Sequence, residues 1–369
     1  MKILVAPNYY KGSLSALNAT DTISNALKSK YRDIAVIKCP LADGGDGTLE
    51  AVYAASGGEF ITACVNDPLF RKIDSVWLRQ GNVAIIESAR ANGLSLLKPV
   101  EYNPYKATTF GVGELILNAV QNGCNKIIIG VGGSATNDAG YGALRALGVK
   151  FFRKDNNEID FDIRSFSEIS KIDTTNVNPV LKNIEIIAAT DVKNPLCGQT
   201  GASMTFAGQK GAMPENLSEL DLLLTHFANV SSKYLNIDNR NIPGAGASGG
   251  LAYGLSEYLG AKIENGFDLI SKICRLEEKV KEADLIITGE GRLDEQSLWG
   301  KAPIKVAELA KKFNKHCIAI VGTLDDKFDW NKHFQSVYTL ANQNTSVEYA
   351  IKNADELITK VVQDNIDLN

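Results

Sequence analysis

The chain of 369 residues lacks closely spaced cysteines, long hydrophobic runs and any excess of basic charge. Its six cysteines, Cys39, Cys64, Cys124, Cys197, Cys274 and Cys317, never form a C-x-x-C pair, which excludes a zinc ribbon and a disulfide framework. Buried free thiols in a reducing cytoplasm are expected instead. The opening MKILVAP ends its apolar run at Pro7, too soon for a signal peptide, and nothing downstream approaches a membrane span. A soluble cytoplasmic protein with no membrane partner is the expectation. Lysine and arginine number 39 against 43 aspartates and glutamates, a formal net charge of −4, so no global field draws nucleic acid. An anionic substrate must be met by local basic groups or backbone N–H donors.

Several catalytic signatures are missing too. The three histidines, His226, His316 and His333, have no partner motif, and G-x-S-x-G does not occur. This excludes a Ser-His hydrolase and a histidine zinc site. The P-loop pattern G-x-x-x-x-G-K-[ST] is also absent, so an ordinary Walker site is excluded.

What is present is ordinary globular composition, 44% hydrophobic and 22% charged, at a length that suits two domains. The runs ILVAP (3–7) and IAVIKCPL (34–41) read as buried parallel strands alternating with helical stretches. From about residue 60, ITACV, KIDSVWL and NVAIIES read as short antiparallel strands that open a second domain. The helix GELILNAVQNG stops at Gly123, and the strands NKIIIG and IEIIAAT follow. ADLIITGEG, HCIAIVG and FQSVYTL return to the N-terminal pattern. The expected architecture is therefore α/β, with a Rossmann-like parallel-sheet domain from residues 1–60 and 280–369 and an inserted α/β domain from 61–279.

Five polar or glycine-rich clusters stand out, most of them after a strand, where ligands bind in open α/β sheets. Lys11-Gly12-Ser13 offers a point charge for a carboxylate or phosphate, though a solvated surface lysine fits equally. Asp43-Gly44-Gly45-Asp46-Gly47-Thr48 places two carboxylates where Mg²⁺ could use them, with helix N-capping the alternative for Asp46. Gly130 to Asp138 links a strand to a helix. Its backbone at Gly132 and Gly133, with Ser134, Thr136, Asn137 and Asp138, suits phosphate. The same string meets the G-x-G-x-x-A dinucleotide pattern, with Asp155 or Glu158 as the acidic partner, so an NAD(P)-dependent oxidoreductase is an alternative. Pro243 to Gly250, including Ser248, Gly249 and Gly250, reads as a phosphate nest or a tight packing turn. Asp191 ends a buried strand, the place for a fixed base or a turn-forming aspartate. The same fifth group takes in Glu290, Arg292 and Asp294 after another strand, with Glu290 between two glycines.

Taken in order, MKILVAP…KGSLSA, PLADGGDGT, TTFGVGELI, IIIGVGGSATNDAG, ATDVKNPL, FAGQKGA, PGAGASGG and ITGEGRLDEQSLWGKAP resemble the bacterial glycerate kinase family unrelated to P-loop kinases. The resemblance covers nearly the whole chain. It implies phosphorylation of D-glycerate by ATP with Mg²⁺, at the 2-hydroxyl, in a cleft between the two domains. It also implies Lys11, Asp43 and Asp191 as catalytic positions. Asp191 would orient or deprotonate the hydroxyl, Lys11 would pair with the phosphoryl group or the glycerate carboxylate, and Asp43 with Asp46 would serve Mg²⁺.

Departures fall inside these motifs. Asn8-Tyr9-Tyr10 stands where the family has Asp-Ser-Phe, and Asp46 replaces Glu. Ser88, Arg90 and Asn92 occupy positions expected to be small or apolar, and Val112 and Gly208 replace Thr and Pro. A lost aspartate and an added arginine would make a pocket more positive, so Asn8, Ser88 and Arg90 are candidate specificity positions for a larger or more acidic hydroxy acid. A binding regulator without turnover is a further alternative. The sequence carries no signal for oligomeric state.

Overall fold

The computed structural model describes residues 1–295, 297 and 301–368, so Gln296, Leu298, Trp299 and Gly300 of the last motif lie outside the described residues. The chain forms two compact units, Met1–Asp43 with Glu50–Gly57 and Phe267–Asn369, and Gly44–Leu49 with Gly58–Gly266. Against the expected limits of 60 and 280, the chain changes unit after Gly57 and after Gly266, and residues 44–49 go with the second unit.

The first unit is built on a five-stranded parallel sheet. Numbered in chain order, its strands are β1 (Lys2–Pro7), β2 (Ala35–Lys38), β11 (Leu285–Leu293), β12 (His316–Leu324) and β13 (Ser336–Thr339). They run β13-β12-β11-β1-β2, with Ile3 opposite Leu285 and Pro7 opposite Gly289. Ile3, Leu4, Val5 and Ala6 are all fully buried. Both faces of β1 are therefore covered, which explains an unbroken apolar run rather than an alternating one. Helix Ala16–Lys30 follows β1. Its Ser15 side chain accepts the Asn18 N–H at the N-terminus, and Ile23 and Leu27 face the core.

The second unit carries a six-stranded mixed sheet. Its strands are β3 (Glu59–Asn66), β4 (Lys72–Gln80), β5 (Val83–Glu87), β6 (Lys126–Gly130), β9 (Glu185–Ala189) and β10 (Lys262–Glu264), in the order β10-β9-β6-β5-β4-β3. A small hairpin, β7 (Lys150–Phe152) and β8 (Lys171–Asp173), lies apart from this sheet. The antiparallel meander expected over residues 60–90 holds for β3-β4-β5, but β5 then pairs parallel with β6. NVAIIES is thus the strand at which the sheet changes direction. Periodicity reports which face of a strand is buried, and it carries no information about its neighbour's direction.

Among the described residues this unit has two large cores and a small cluster of Leu97, Ala107 and Ala135. One packs Ile127, Ile129 and Ile186 of the sheet against Val112, Leu115 and Ile116 of helix Phe110–Gln121. The other is aromatic, gathering Tyr141, Phe151, Phe166, Phe227 and Tyr253. No disulfide forms: Cys39, Cys124, Cys274 and Cys317 are buried, whereas Cys64 is exposed and Cys197 half-buried, so the expectation of buried thiols holds for four of the six.

Candidate functional site

In the second unit, β5, β6, β9 and β10 run parallel, and the segments leaving their carboxyl ends converge. A Cβ on Gly130 would stand 2.1 Å from the Gly44 carbonyl oxygen, and one on Gly44 would stand 2.8 Å from that of Ala189. Only glycine permits such contact, so the Gly44–Asp46 turn lies directly on the ends of β6 and β9. Val131 N–H also donates to the Ala189 carbonyl (3.1 Å). Asp46 overlooks the next loop, its Oδ1 lying 3.1 Å from where a Cβ on Gly133 would be.

The loop from Val131 to Gly140 is held from several sides. Leu94 N–H donates to the Gly133 carbonyl, and Ala135 N–H donates to that of Asn92 (2.7 Å). Asn92 Nδ2 donates to Thr136 Oγ1 (3.1 Å) and to Ser248 Oγ (3.2 Å), so one buried amide joins this loop to the Pro243–Gly250 turn. Ala139 N–H donates to the Gly249 carbonyl (2.9 Å), which joins them a second time. At that point Ser248, Gly249 and Gly250 have φ of 55°, 63° and 90°, three consecutive left-handed residues. Asp191 emerges after β9, exposed, with Asn265 Nδ2 donating to its Oδ1 (2.5 Å).

Within the predicted loop the roles divide. Gly132 and Gly133 are accessible, and their N–H groups and that of Ser134 have no acceptor among the described residues. Ser134, Thr136, Asn137 and Asp138 are instead buried and turned inward. Asn137 Nδ2 donates to Ser203 Oγ (3.0 Å). The Asp138 carboxylate accepts from Thr109 N–H and hydroxyl (both 2.9 Å) and from Gly140 and Gly142 N–H (both 3.1 Å). Burial pushes its carboxyl upward against the pull of these four donors. Expected among the phosphate-binding groups, Asp138 is in this structure the brace between two helix starts.

The dinucleotide alternative fails on the same geometry. A fingerprint of that type needs its helix to open at the glycines, whereas the helix after β6 begins at Tyr141. Glu158 is paired with Arg145 (2.8 Å) and Lys150 (2.9 Å), and Asp155 bonds within its own turn to Asn157.

Two specificity candidates also lie differently from expectation. Ser88 is fully buried. Arg90 Nε donates to Glu87 Oε2 (2.7 Å), while Glu87 Oε1 accepts the Leu49 N–H (2.8 Å) at the start of helix Thr48–Ser56. The added arginine is therefore offset by a buried carboxylate, and the expected gain of positive charge does not arise from it.

In the first unit, Lys11 is exposed on the loop after β1. Its backbone N lies 3.0 Å from where a Cβ on Gly291 would be, so this loop rests on the end of β11. Asn8 is buried, with its N–H donating to the Gly289 carbonyl (2.8 Å). Ser13 is committed elsewhere: its hydroxyl donates to the Ile351 carbonyl (2.6 Å), a tie within the unit rather than a ligand contact. Asp43 is half-buried at the end of the stretch after β2. Arg292 is exposed, 3.7 Å from Asp294, which Lys301 also approaches (3.4 Å).

Glu290 is buried and accepts the Ser297 hydroxyl (2.9 Å). Burial pushes its carboxyl up to about 7, against the pull of the Lys301 charge and the Ser297 bond. A raised value means that its contribution to stability is complete below the ordinary 4.5 and is lost as pH climbs through about 7. Glu290→Gln, neutral at every pH, should match the parent protein in urea denaturation near pH 4.5. It should exceed it at pH 8.5 by on the order of 2–3 kcal/mol. A gap that stays flat with pH would show that the burial of Glu290 is not what governs its proton.

Among the described residues no three His, Cys, Asp or Glu side chains cluster as a metal cage. Mg²⁺ does not require one, since it takes one or two carboxylates with waters and phosphate oxygens. Asp46, exposed beside Gly133, fits that donor chemistry.

Two functional candidates escape the sequence reading. Asn92 was visible only as a polar residue where a small one was expected, and Lys210 only as one letter of FAGQKGA. Burial and partners, not residue type, single them out.

Glycine turns stacked on parallel strand ends, an accessible pair of glycines and an adjacent carboxylate sit in a mixed α/β fold, and the class is that of an α/β enzyme. The chain belongs to the glycerate kinase family, whose family model matches residues 3–368, and it is a kinase. It is 44% identical to the glycerate 2-kinase of Escherichia coli (strain K12) over 88% of this chain and 86% of that protein. It is 39% identical to the glycerate kinase of Haemophilus influenzae over 98% and 97% of the two chains. A crystal structure of a provisionally assigned glycerate kinase 2 from Salmonella typhimurium LT2 matches with a TM-score of 0.86 at 38% identity, covering 99% of this chain and 96% of that one.

Proposed function

We propose that this protein transfers the γ-phosphoryl group of ATP to the 2-hydroxyl of D-glycerate, giving 2-phosphoglycerate and ADP. The observation that carries this reading is the Gly44–Asp46 turn stacked on Gly130 and Ala189 at the ends of β6 and β9, with Ser248–Gly250 joined to the loop after β6 and Asp191 following β9, in a member of the glycerate kinase family. Phosphoryl transfer asks the protein mainly for positioning and charge neutralisation. The Gly132 and Gly133 N–H groups supply donors for phosphate oxygens. Asp191 holds and deprotonates the attacking hydroxyl, and Asn265 fixes the direction of its carboxylate. Lys11, long and exposed, is the point charge for the transferring group or for the glycerate carboxylate. Mg²⁺, when bound with the nucleotide, neutralises phosphate charge. Asp46 would hold it, with Asp43 as the second acidic group of that stretch.

The unpaired thiols support a reducing, cytoplasmic location. No helix among the described residues is long and apolar enough to cross a membrane.

ADP release with Mg·ATP, measured across D-glycerate and larger sugar acids, tests the substrate. D-Glycerate is expected to be turned over most efficiently, with a single phosphorylated product assigned to the 2-position by phosphorus NMR. Turnover confined to a larger acid would move the substrate. Binding without turnover would identify a regulator instead.

A further inference from the structure

We propose that Lys210 is a positioning residue for this reaction: from beneath the Val131–Gly140 loop, its ammonium group locks Ser134 and Thr136 so that the accessible Gly132–Gly133 backbone stays open to an anion. Lys210 Nζ donates to Ser134 Oγ (3.0 Å) and to the Thr136 carbonyl (2.7 Å), and the residue is only 2% exposed. Among the described residues it has no carboxylate within ion-pair distance, so its two bonded partners are neutral. A lysine in that setting carries a desolvation cost that a purely structural role does not explain, because a methionine would fill the same space without it.

The backbone around Lys210 is fixed. Its N–H donates to the Ala207 carbonyl (3.0 Å), Ala207 lies in the aromatic core, and Gly211 follows at φ +96° against the Tyr102 carbonyl. The ammonium therefore cannot swing away to solvent without unpacking this turn. Among the described residues, the one charged group whose field acts on it is Asp138, already engaged by Thr109, Gly140 and Gly142. Burial lowers Lys210 to about 7, only partly offset by Asp138. An anion held by the loop would favour the charged form, so binding should take up a proton near and above neutral pH. By reciprocity, affinity for that anion should weaken as pH rises above about 7.

The proposal rests on the reading that this loop receives an anionic group, expected to be the phosphates of ATP. The test compares the full-length protein with Lys210→Met and Lys210→Gln. ATP binding is measured by calorimetry, which does not depend on turnover. The KM for ATP and for D-glycerate, kcat and the melting temperature are measured from pH 6 to 9. Lys210→Met is expected to weaken ATP binding by about 10–100-fold at pH 6.5. It should abolish the loss of affinity toward pH 9 and leave the melting temperature equal or higher. If the same loss falls on the D-glycerate KM, Lys210 keeps its role and the loop's anion is the carboxylate of the acid. Unchanged KM values, or a fall in all parameters in step with a lower melting temperature and the parent pH profile, would overturn the proposal. A parent protein that binds ATP but turns over no acid would count against the kinase reading alone. One that binds no ATP but turns over D-glycerate with another donor would be judged on the D-glycerate arm.

Discussion

Asp191→Asn is expected to lower kcat by about 10²–10⁴-fold, the range in which a positioned general base contributes. The amide keeps the volume and still accepts a hydrogen bond from Asn265 Nδ2, so the exposed end of β9 should retain its shape. What it loses is the negative charge that, in the role proposed for Asp191, draws the proton from the substrate hydroxyl as the O–P bond forms. The KM for ATP should change little, and the melting temperature should stay within about 2 °C, as surface substitutions generally do. A kcat within threefold of the parent would remove Asp191 from the chemistry and return it to the turn-forming role that its place before Asn194-Pro195 also allows.

Gly249→Ala should have the largest effect on the fold itself. At φ 63° any side chain is strained, by about 1–2 kcal/mol. Here the added Cβ would also stand 2.0 Å from the Thr136 carbonyl oxygen and 2.6 Å from the Asn137 Cα. Neither is the end of a flexible side chain, so the two loops must part, which breaks the Ala139–Gly249 bond and disturbs the two bonds of Asn92. A loss above about 3 kcal/mol in urea denaturation is expected, together with loss of turnover. Gly260→Ala is the control. It also has positive φ (66°), but nothing lies within 4 Å of its Cβ, so it should cost only about 1 kcal/mol. Equal costs for the two substitutions would show that backbone conformation alone, and not the close approach of the loops, requires glycine at 249.

The comparison of the two glycines shows why the site was only partly legible. In the sequence, PGAGASGG announces a turn, but Gly249 and Gly260 carry the same letter. Only the position of Thr136, more than a hundred residues away in the chain, separates them. Ser134 and Thr136 present the same difficulty. Their residue types and their place after a strand suggested phosphate donors, and their hydroxyls are tied to Lys210 and Asn92. A hydroxyl serves a ligand or a loop equally well, and nothing local decides which. By its letter Arg90 is added charge, and Glu87 beside it offsets that charge.

The sequence by itself marked ten of the thirteen strands, because apolar runs of strand length bounded by turn residues suit buried β-structure, but not the short β7, β8 and β10 nor the order in which the strands pair. It also determined the family, because eight motifs in one order leave few alternatives. It placed the glycine turns at strand ends, where their missing side chains matter. The tertiary structure decided which polar groups face outward and which brace the loops from within. It also made Lys210 a buried cation and Glu290 a carboxyl that titrates near neutrality. The physical reason is that burial and pairing depend on what a residue meets from distant parts of the chain. The cost of a charge is set by that surrounding medium and not by the side chain that carries it.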